Sequence, residues 1–399
     1  MVTIINMTAP LVPPKEKKPF TLWAIFGLIT LAIAIGAGLG SQIYLHRHAL
    51  KNEVVPPRRL EVLSMKGLLS QSFLDAFRKR TGLIFTITES ATPEELWNRF
   101  LAQPSNDHQP FDVVALFSYQ LRLAEQSGHL QLIDTRKIRR FYDTSPDFIE
   151  TIGTDPLTNS SDNRRDPSLV WAMPILWGAE SLFYNSKKTH APISWAEALK
   201  ENHSSSKVGV PRSVIDVEWL AGSTGRFSGQ PPIAVNHASR PAEMDKALSA
   251  LFSSIRLSGN FLFPTDLLAK KKPPAVLMMS HGQAAFAPFK DSDWKVATVP
   301  EGELLWTLSF AIDKDAKNID PAYVLLNDLL RAESATQLAE SYQQASTNRL
   351  LESTNIDLRL KPSFLRQFPL DKIDFVKEIS RADELRATLD ASVERSEDQ

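Results

Sequence analysis

Between Leu60 and Phe117 the apolar pattern changes period at each step, and that alternation restricts the chain to few folds. Leu60–Leu63 is a short apolar run, and Ser70–Arg80 places Phe73, Leu74 and Phe77 on one helical face. Leu83–Thr88 is rich in β-branched residues, Pro93–Gln103 has helical spacing, and Asp112–Phe117 is almost continuously apolar. A strand with no polar alternation is covered on both faces, as in a parallel sheet. The succession βαβαβ therefore predicts an α/β fold with helices on both sides of a parallel sheet.

The pattern continues after a loop-rich stretch, Thr154–Pro167. Strands are expected at Trp171–Leu176, Ser181–Tyr184, Val208–Val210, Ala275–Met279 and Val296–Val299. Helices are expected from Ser194, over Met244–Arg256, Pro321–Arg331 and Ala335–Gln344, and near the C-terminus from Arg381. Gly222–Pro241 is rich in Gly, Pro and Ser and reads as irregular.

One segment has a different character. Phe20–Leu45 carries no charge over 26 residues, enough for a helix to cross a hydrocarbon core of ~30 Å. It is apolar all round, unlike a core helix with one buried stripe. An uncleaved anchor is expected, with a cleaved signal peptide ending near Gly38–Gly40 as the alternative. Lysines precede the run and arginines follow it, so charge alone leaves orientation open. A short arm, 1–19, ahead of a large C-terminal domain favours export of that domain. Residues 46–59, with Pro56 and Pro57, read as a stiff linker.

Lys and Arg total 45 against 46 Asp and Glu, with both signs interspersed, so no basic face for nucleic acid is expected. The absence of cysteine excludes disulfides, thiolate metal sites and lipid attachment at an N-terminal cysteine. No zinc-binding His-Glu-x-x-His, Gly-x-Ser-x-Gly elbow or phosphate-binding glycine loop is present. The glycine-rich GSTGRFSG lacks the lysine of such a loop, and the histidines are scattered singly. Neither an enzyme nor a bound cofactor is expected.

Six segments in order resemble the polyamine-binding branch of the type II periplasmic binding proteins. They are FLDAFRKRTGLIFTIT, FDVVALFSYQLRLAEQSGHLQLID, AMPILWGAESLFYNSKK, PISWAEAL, VPEGELLWTLSFAIDKDAKN and LAESYQQASTNR, and together they span most of the chain after the linker. The resemblance implies two α/β lobes joined by crossing strands near Trp171–Tyr184 and Leu304–Ile312, closing on a ligand like a hinge. Lobe 1 would comprise 58–171 plus 309–345, lobe 2 would comprise 172–308, and C-terminal helices and a tail would follow over 346–399. The implied role is that of a membrane-anchored, extracytoplasmic solute-binding component of an ABC importer, with a permease as partner. A sensory or scaffold protein built on the same fold is the alternative.

By position, the resemblance implies ligand contacts at Tyr119 and Trp306, with Asp216 as a carboxylate. Trp177, in the same segment as Gly178, is expected to pack at the hinge. Met65, Phe117 and Ser213 fall at ligand-contacting positions but depart from the family's residues: Met65 replaces an aromatic, Phe117 a serine, and Ser213 an acid. Leu68 replaces a second aromatic, and Leu308 the acid that follows Trp306 in the family. Losing one partner of a buried charge pair costs roughly 3–5 kcal/mol, so polyamine affinity is expected to fall by at least ~10²–10³. Spermidine and putrescine are accordingly expected to bind more weakly than ~100 μM, unless Glu180 or Asp216 takes over the lost role.

Overall fold

The computed structural model describes residues 59–102, 110–149, 168–200, 207–213, 216–217, 220, 251–260, 263–290, 292–368 and 373–375. Two compact units are distinguished, Met1–Pro57 and Arg58–Gln399, and every described residue belongs to the second. The apolar segment 20–45, the loop 154–167, the irregular stretch 222–241 and the tail from 381 lie outside the described residues. Among those described, no helix is long and apolar enough to cross a membrane.

The first half follows the expected alternation. Strand β1 (Arg59–Met65) pairs in parallel with β2 (Ile84–Ser90) and β3 (Val113–Phe117). Helix α1 (Gln71–Thr81) begins at Ser70, whose side chain accepts from the Phe73 N–H, and ends at Gly82 with φ 71°. That left-handed C-terminal position is one that glycine adopts without strain. The helix buries Phe73 and Phe77. Helix α2 (Pro93–Leu101) is capped by Thr92 and starts with a proline in its first turn. Helix α3 (Ser118–Gln126) follows β3 directly, and the Gln120 side chain reaches back to accept from the Phe117 N–H at 3.1 Å.

The remaining strands extend this sheet to twelve among the described residues. They are β4 (Leu130–Gln131), β7 (Ala172–Asn185), β8 (Val208–Val210), β9 (Ile255–Leu257), β10 (Val276–Ser280), β11 (Trp294–Ala297), β12 (Glu303–Asp313), β13 (Ala345–Ser346) and β14 (Ile373–Phe375). Strands β5 (Ile133–Asp134) and β6 (Leu169–Val170) form a separate ribbon. The main path runs β2-β1-β3-β12-β7-β10-β8-β9. Strands β7 and β12 lie antiparallel at its centre, where β12 also pairs with β3 and β7 with β10. These two strands overlap the segments 171–184 and 304–312 that the resemblance implies as crossings.

Three expectations are corrected. The two strands expected at Trp171–Leu176 and Ser181–Tyr184 are one continuous strand, β7. Pro174, which cannot donate to a ladder, sits where the β7–β12 register shifts, and Thr347 Oγ1 donates to its carbonyl at 2.7 Å. The helix expected to run through Arg256 gives way at Ile255 to β9, drawn into parallel pairing with β8. The described part of 346–399 holds 3₁₀ turns at Arg349–Ser353, Leu358–Leu360 and Pro362–Gln367, then β14 beside β12, rather than α-helices. The two long C-terminal helices, α4 (Ile319–Leu329) and α5 (Ala332–Tyr342), are as expected.

Candidate ligand-binding site

Period 2 sorts the residues of the two crossing strands between the faces of the sheet. Trp177 and Leu305 face one side, in a cluster with Phe148, Ala345, Leu365 and Phe368. Trp177 is fully buried there and its indole N–H donates to the Ser346 carbonyl at 3.2 Å, so its ring is held by packing and by this bond. His281 lies against the same cluster, 4.3 Å between ring centroids from Trp177, and its Nδ1 accepts from the Ala179 N–H at 3.1 Å. Burial pushes its pKa down to about 3, so it stays neutral.

The opposite face carries Gly178, Glu180 and Trp306. Trp306 stands directly across from Gly178 in the β7–β12 register. A Cβ added to Gly178 would lie 2.6 Å from Trp306 Cε2 and 2.5 Å from Ser280 Oγ, so the missing side chain is what lets the indole lie over β7. From there the indole N–H donates to Glu180 Oε1 at 2.8 Å. Phe117, at the carboxyl end of β3, meets Trp306 edge-on at 5.4 Å and stacks on Tyr119 at 5.8 Å. Asp216 follows the carboxyl end of β8, its N–H donating to Ser213 Oγ at 3.4 Å.

All of these side chains are buried, Asp216 at 5% and Glu180 at 3% exposure. Burial pushes Glu180 up to about 7, partly opposed by the Trp306 hydrogen bond. Burial and the neighbouring Glu180 push Asp216 well above the carboxylate range. Burial also raises Tyr119, and the charges of Glu94 and Asp216 add to the effect. Glu180 and Asp216 are thus two buried carboxyl groups close enough for the charge of Glu180 to disfavour ionisation of Asp216.

The structure thus brings together Phe117, Tyr119, Trp306 and Asp216 among the residues expected from sequence, with Ser213 attached through Asp216. Met65 ends β1 and is fully buried in the main core. Leu308 is paired with Phe117 and is likewise fully buried. Glu180 joins them as a second carboxylate. Its signal in the sequence is the spacing of Gly178 and Glu180, two residues apart on the face toward Trp306. Tyr342 and Gln344, at and just after the end of α5, also belong here: Ser280 Oγ and Gln344 Oε1 are 2.6 Å apart, and Tyr342 acts electrostatically on Tyr119. Four buried polar atoms of this cluster have no hydrogen-bond partner among the described residues: Glu180 Oε2, Tyr119 OH, Tyr342 OH and Gln344 Nε2. Unsatisfied buried polar atoms are costly unless something else partners them.

No protein-family model matches the chain. The spermidine/putrescine-binding periplasmic protein of Salmonella typhimurium is 24% identical over 307 residues, covering 74% of this chain and 75% of that protein. The Tp0655 (TpPotD) lipoprotein of Treponema pallidum superposes with a TM-score of 0.63 at 14% identity, covering 84% of this chain and 99% of the other. The chain has the type II periplasmic binding protein fold. The Atu4243-GABA receptor superposes with a TM-score of 0.57 at 14% identity over 85% of this chain and 96% of its own. The curated relatives are named for what they bind rather than for a reaction.

The raised carboxyl groups fix the sign of the pH response of this binding-protein fold. A carboxyl whose folded pKa exceeds its unfolded one favours folding fully below the unfolded value, and that contribution is lost as pH rises through the folded value. Glu180, at about 7, and Glu303, pushed up to about 8 by burial and by Glu301, both act this way, as does Asp216. His281 opposes them below its ordinary value, one imidazole against these three carboxyls and Asp313, which burial pushes up to about 6. The ligand-free protein is therefore expected to be most stable near pH 5 and to lose at least ~2 kcal/mol by pH 8, read from urea midpoints. A midpoint that is flat or rises over that range would contradict the buried positions of these groups.

Proposed function

We propose that this chain is the ligand-capturing component of an ABC importer and holds a small organic ammonium between its two lobes. The observation that carries the reading is the Trp306–Glu180–Asp216 arrangement. Two buried carboxyls supply charge for an ammonium, while Trp306, Phe117 and Tyr119 offer faces for cation–π contact and for methylene groups. Lobe 1 corresponds to 58–171 with 309–345 and lobe 2 to 172–308, so Tyr119 and Phe117 come from one lobe and Asp216 and Glu180 from the other. Closure of the lobes then assembles the site. The similarity to proteins named for spermidine and putrescine supports an amine ligand.

The test is calorimetry against small amines across pH. An alkylammonium with a pKa near that of lysine, ~10.4, stays charged through neutrality, so the titrating groups belong to the protein. Glu180 and Asp216 face the ligand with Glu94 and the two tyrosines nearby, and both carboxyls must release protons to pair with it. Affinity is expected to rise between pH 5.5 and 8, up to ~tenfold per unit for each proton released. Amine affinity independent of pH, or absent throughout, would overturn the reading.

We also infer that segment 20–45 anchors the chain in the cytoplasmic membrane as a single span, with residues 1–19 inside and the binding domain outside, beside its permease. The length and lack of charge of that segment support this. The intact protein is expected to sediment with membranes and to resist salt and carbonate extraction, while deletion of residues 1–50 releases a soluble domain. A soluble product starting near Ser41 would establish cleavage instead.

A further inference from the structure

The hydrogen-bonding inventory of the cluster constrains the ligand beyond its ammonium, and this step rests on the reading of Glu180 and Asp216 as the ammonium subsite. Gln344 is fully buried, and with Oε1 accepting from Ser280 Oγ at 2.6 Å its amide nitrogen has two N–H groups and no acceptor among the described residues. Ser280 stands opposite Glu180 in the β10–β7 register, which places Gln344 beside the acid pair. The hydroxyls of Tyr119 and Tyr342, at 3% and 4% exposure, likewise have no partner. On the acid side Glu180 Oε2 is an acceptor awaiting a donor. The cluster therefore offers an unsatisfied acceptor on Glu180, an unsatisfied N–H pair on Gln344, and two tyrosine hydroxyls able to donate or accept.

A polyamine has ammonium groups at both ends and, when charged, only N–H donors. Its second ammonium would meet the Gln344 N–H groups, leaving them buried and unpaired beside a positive charge. An oxygen on the ligand would satisfy them. The charges acting on Asp216 and Tyr119 are acidic, from Glu180 on β7, Asp216 itself and Glu94 on α2, so a ligand carboxylate would be repelled. We propose that the site takes a short primary amine carrying one neutral acceptor oxygen, a hydroxyl or amide carbonyl, whose ammonium lies on Glu180 and Asp216 and whose oxygen accepts from Gln344. The apolar Met65, Leu68 and Leu308, all fully buried, agree with a ligand that has no second charge to pair.

The experiment is calorimetry on the full chain at pH 8 with ω-amino alcohols of two to five carbons, the α,ω-diamines and ω-amino acids of equal length, and the matching alkylamines. The best amino alcohol is expected to bind at least about tenfold more tightly than the diamine, the amino acid and the alkylamine of its own length. Gln344→Glu, which replaces the donor with an anionic acceptor of similar shape, is expected to invert the order so that the diamine binds best. If diamines or alkylamines bind wild-type protein as tightly as the amino alcohols, the ammonium subsite stands and the acceptor-oxygen assignment falls. That assignment falls equally if a folded Gln344→Glu protein keeps the wild-type order. If no member of the series binds, both readings fall together.

Discussion

Glu180→Gln is expected to make the ligand-free protein more stable at pH 8 and to make it bind amines ~10²–10³ times more weakly. The opposite signs come from one cause. At pH 8 wild-type Glu180 is largely ionised, since its pKa is about 7, and it is ionised in a buried space beside Asp216. Glutamine keeps the shape and still accepts the Trp306 N–H, so the cost of burying the charge disappears while the packing remains. With an ammonium bound, that same charge is half of a buried pair, and removing one partner costs roughly 3–5 kcal/mol. Urea unfolding and calorimetry on the same preparation would read both effects. The pH dependence of binding should also become shallower, by the proton Glu180 no longer releases. A variant that loses stability and affinity together would show Glu180 to be a structural hydrogen-bond partner of Trp306 and nothing more.

How far such a site can be seen in the sequence depends on whether its geometry is local. Strands β1 to β3 and helices α1 and α2 are legible because capping residues and apolar spacing are decided within a few residues: Ser70 and Thr92 cap the helices they precede. The sequence of β7 reads as two strands because Gly178 would punctuate most strands, and Pro174 is itself unusual inside the first of them. Here distant partners excuse both residues, Thr347 satisfying the carbonyl at the bulge and Trp306 occupying the space over Gly178. Residues Ile255–Leu257 continue a helical pattern, and only the availability of β8 as a parallel neighbour turns them into strand. At the candidate site, Tyr119, Phe117, Asp216 and Trp306 are expected from the order of motifs along the chain. Tyr342 and Gln344 cannot be found that way, because their meaning lies in reaching Tyr119 and Ser280 from the far end of the sequence. Ser213 and Leu308 stand where the motifs would place acids, while Glu180 on β7 is a buried carboxyl whose charge acts on Asp216.

Gly178→Ala is expected to abolish measurable amine binding while leaving a folded protein. The added methyl would sit 2.6 Å from Trp306 Cε2 and 2.5 Å from Ser280 Oγ, closer than real Cβ atoms come to their neighbours. β7 cannot retreat, because it is held by β12 on one side and β10 on the other. The indole must therefore swing away, taking its hydrogen bond from Glu180 and its edge contact from Phe117. Overpacking of this kind typically costs about 1–3 kcal/mol of stability. Binding suffers more, because ring face, oriented carboxylate and Ser280–Gln344 contact are disturbed at once. Combining Gly178→Ala with Trp306→Phe separates the two effects, since a smaller ring leaves room for the methyl. The double variant should regain ~1 kcal/mol or more of stability relative to the sum of the singles, the non-additivity expected of residues in contact. It should not regain binding, because phenylalanine has no N–H to hold Glu180. Strict additivity, or an alanine variant that binds amines normally, would mean that the indole does not lie over Gly178 in solution.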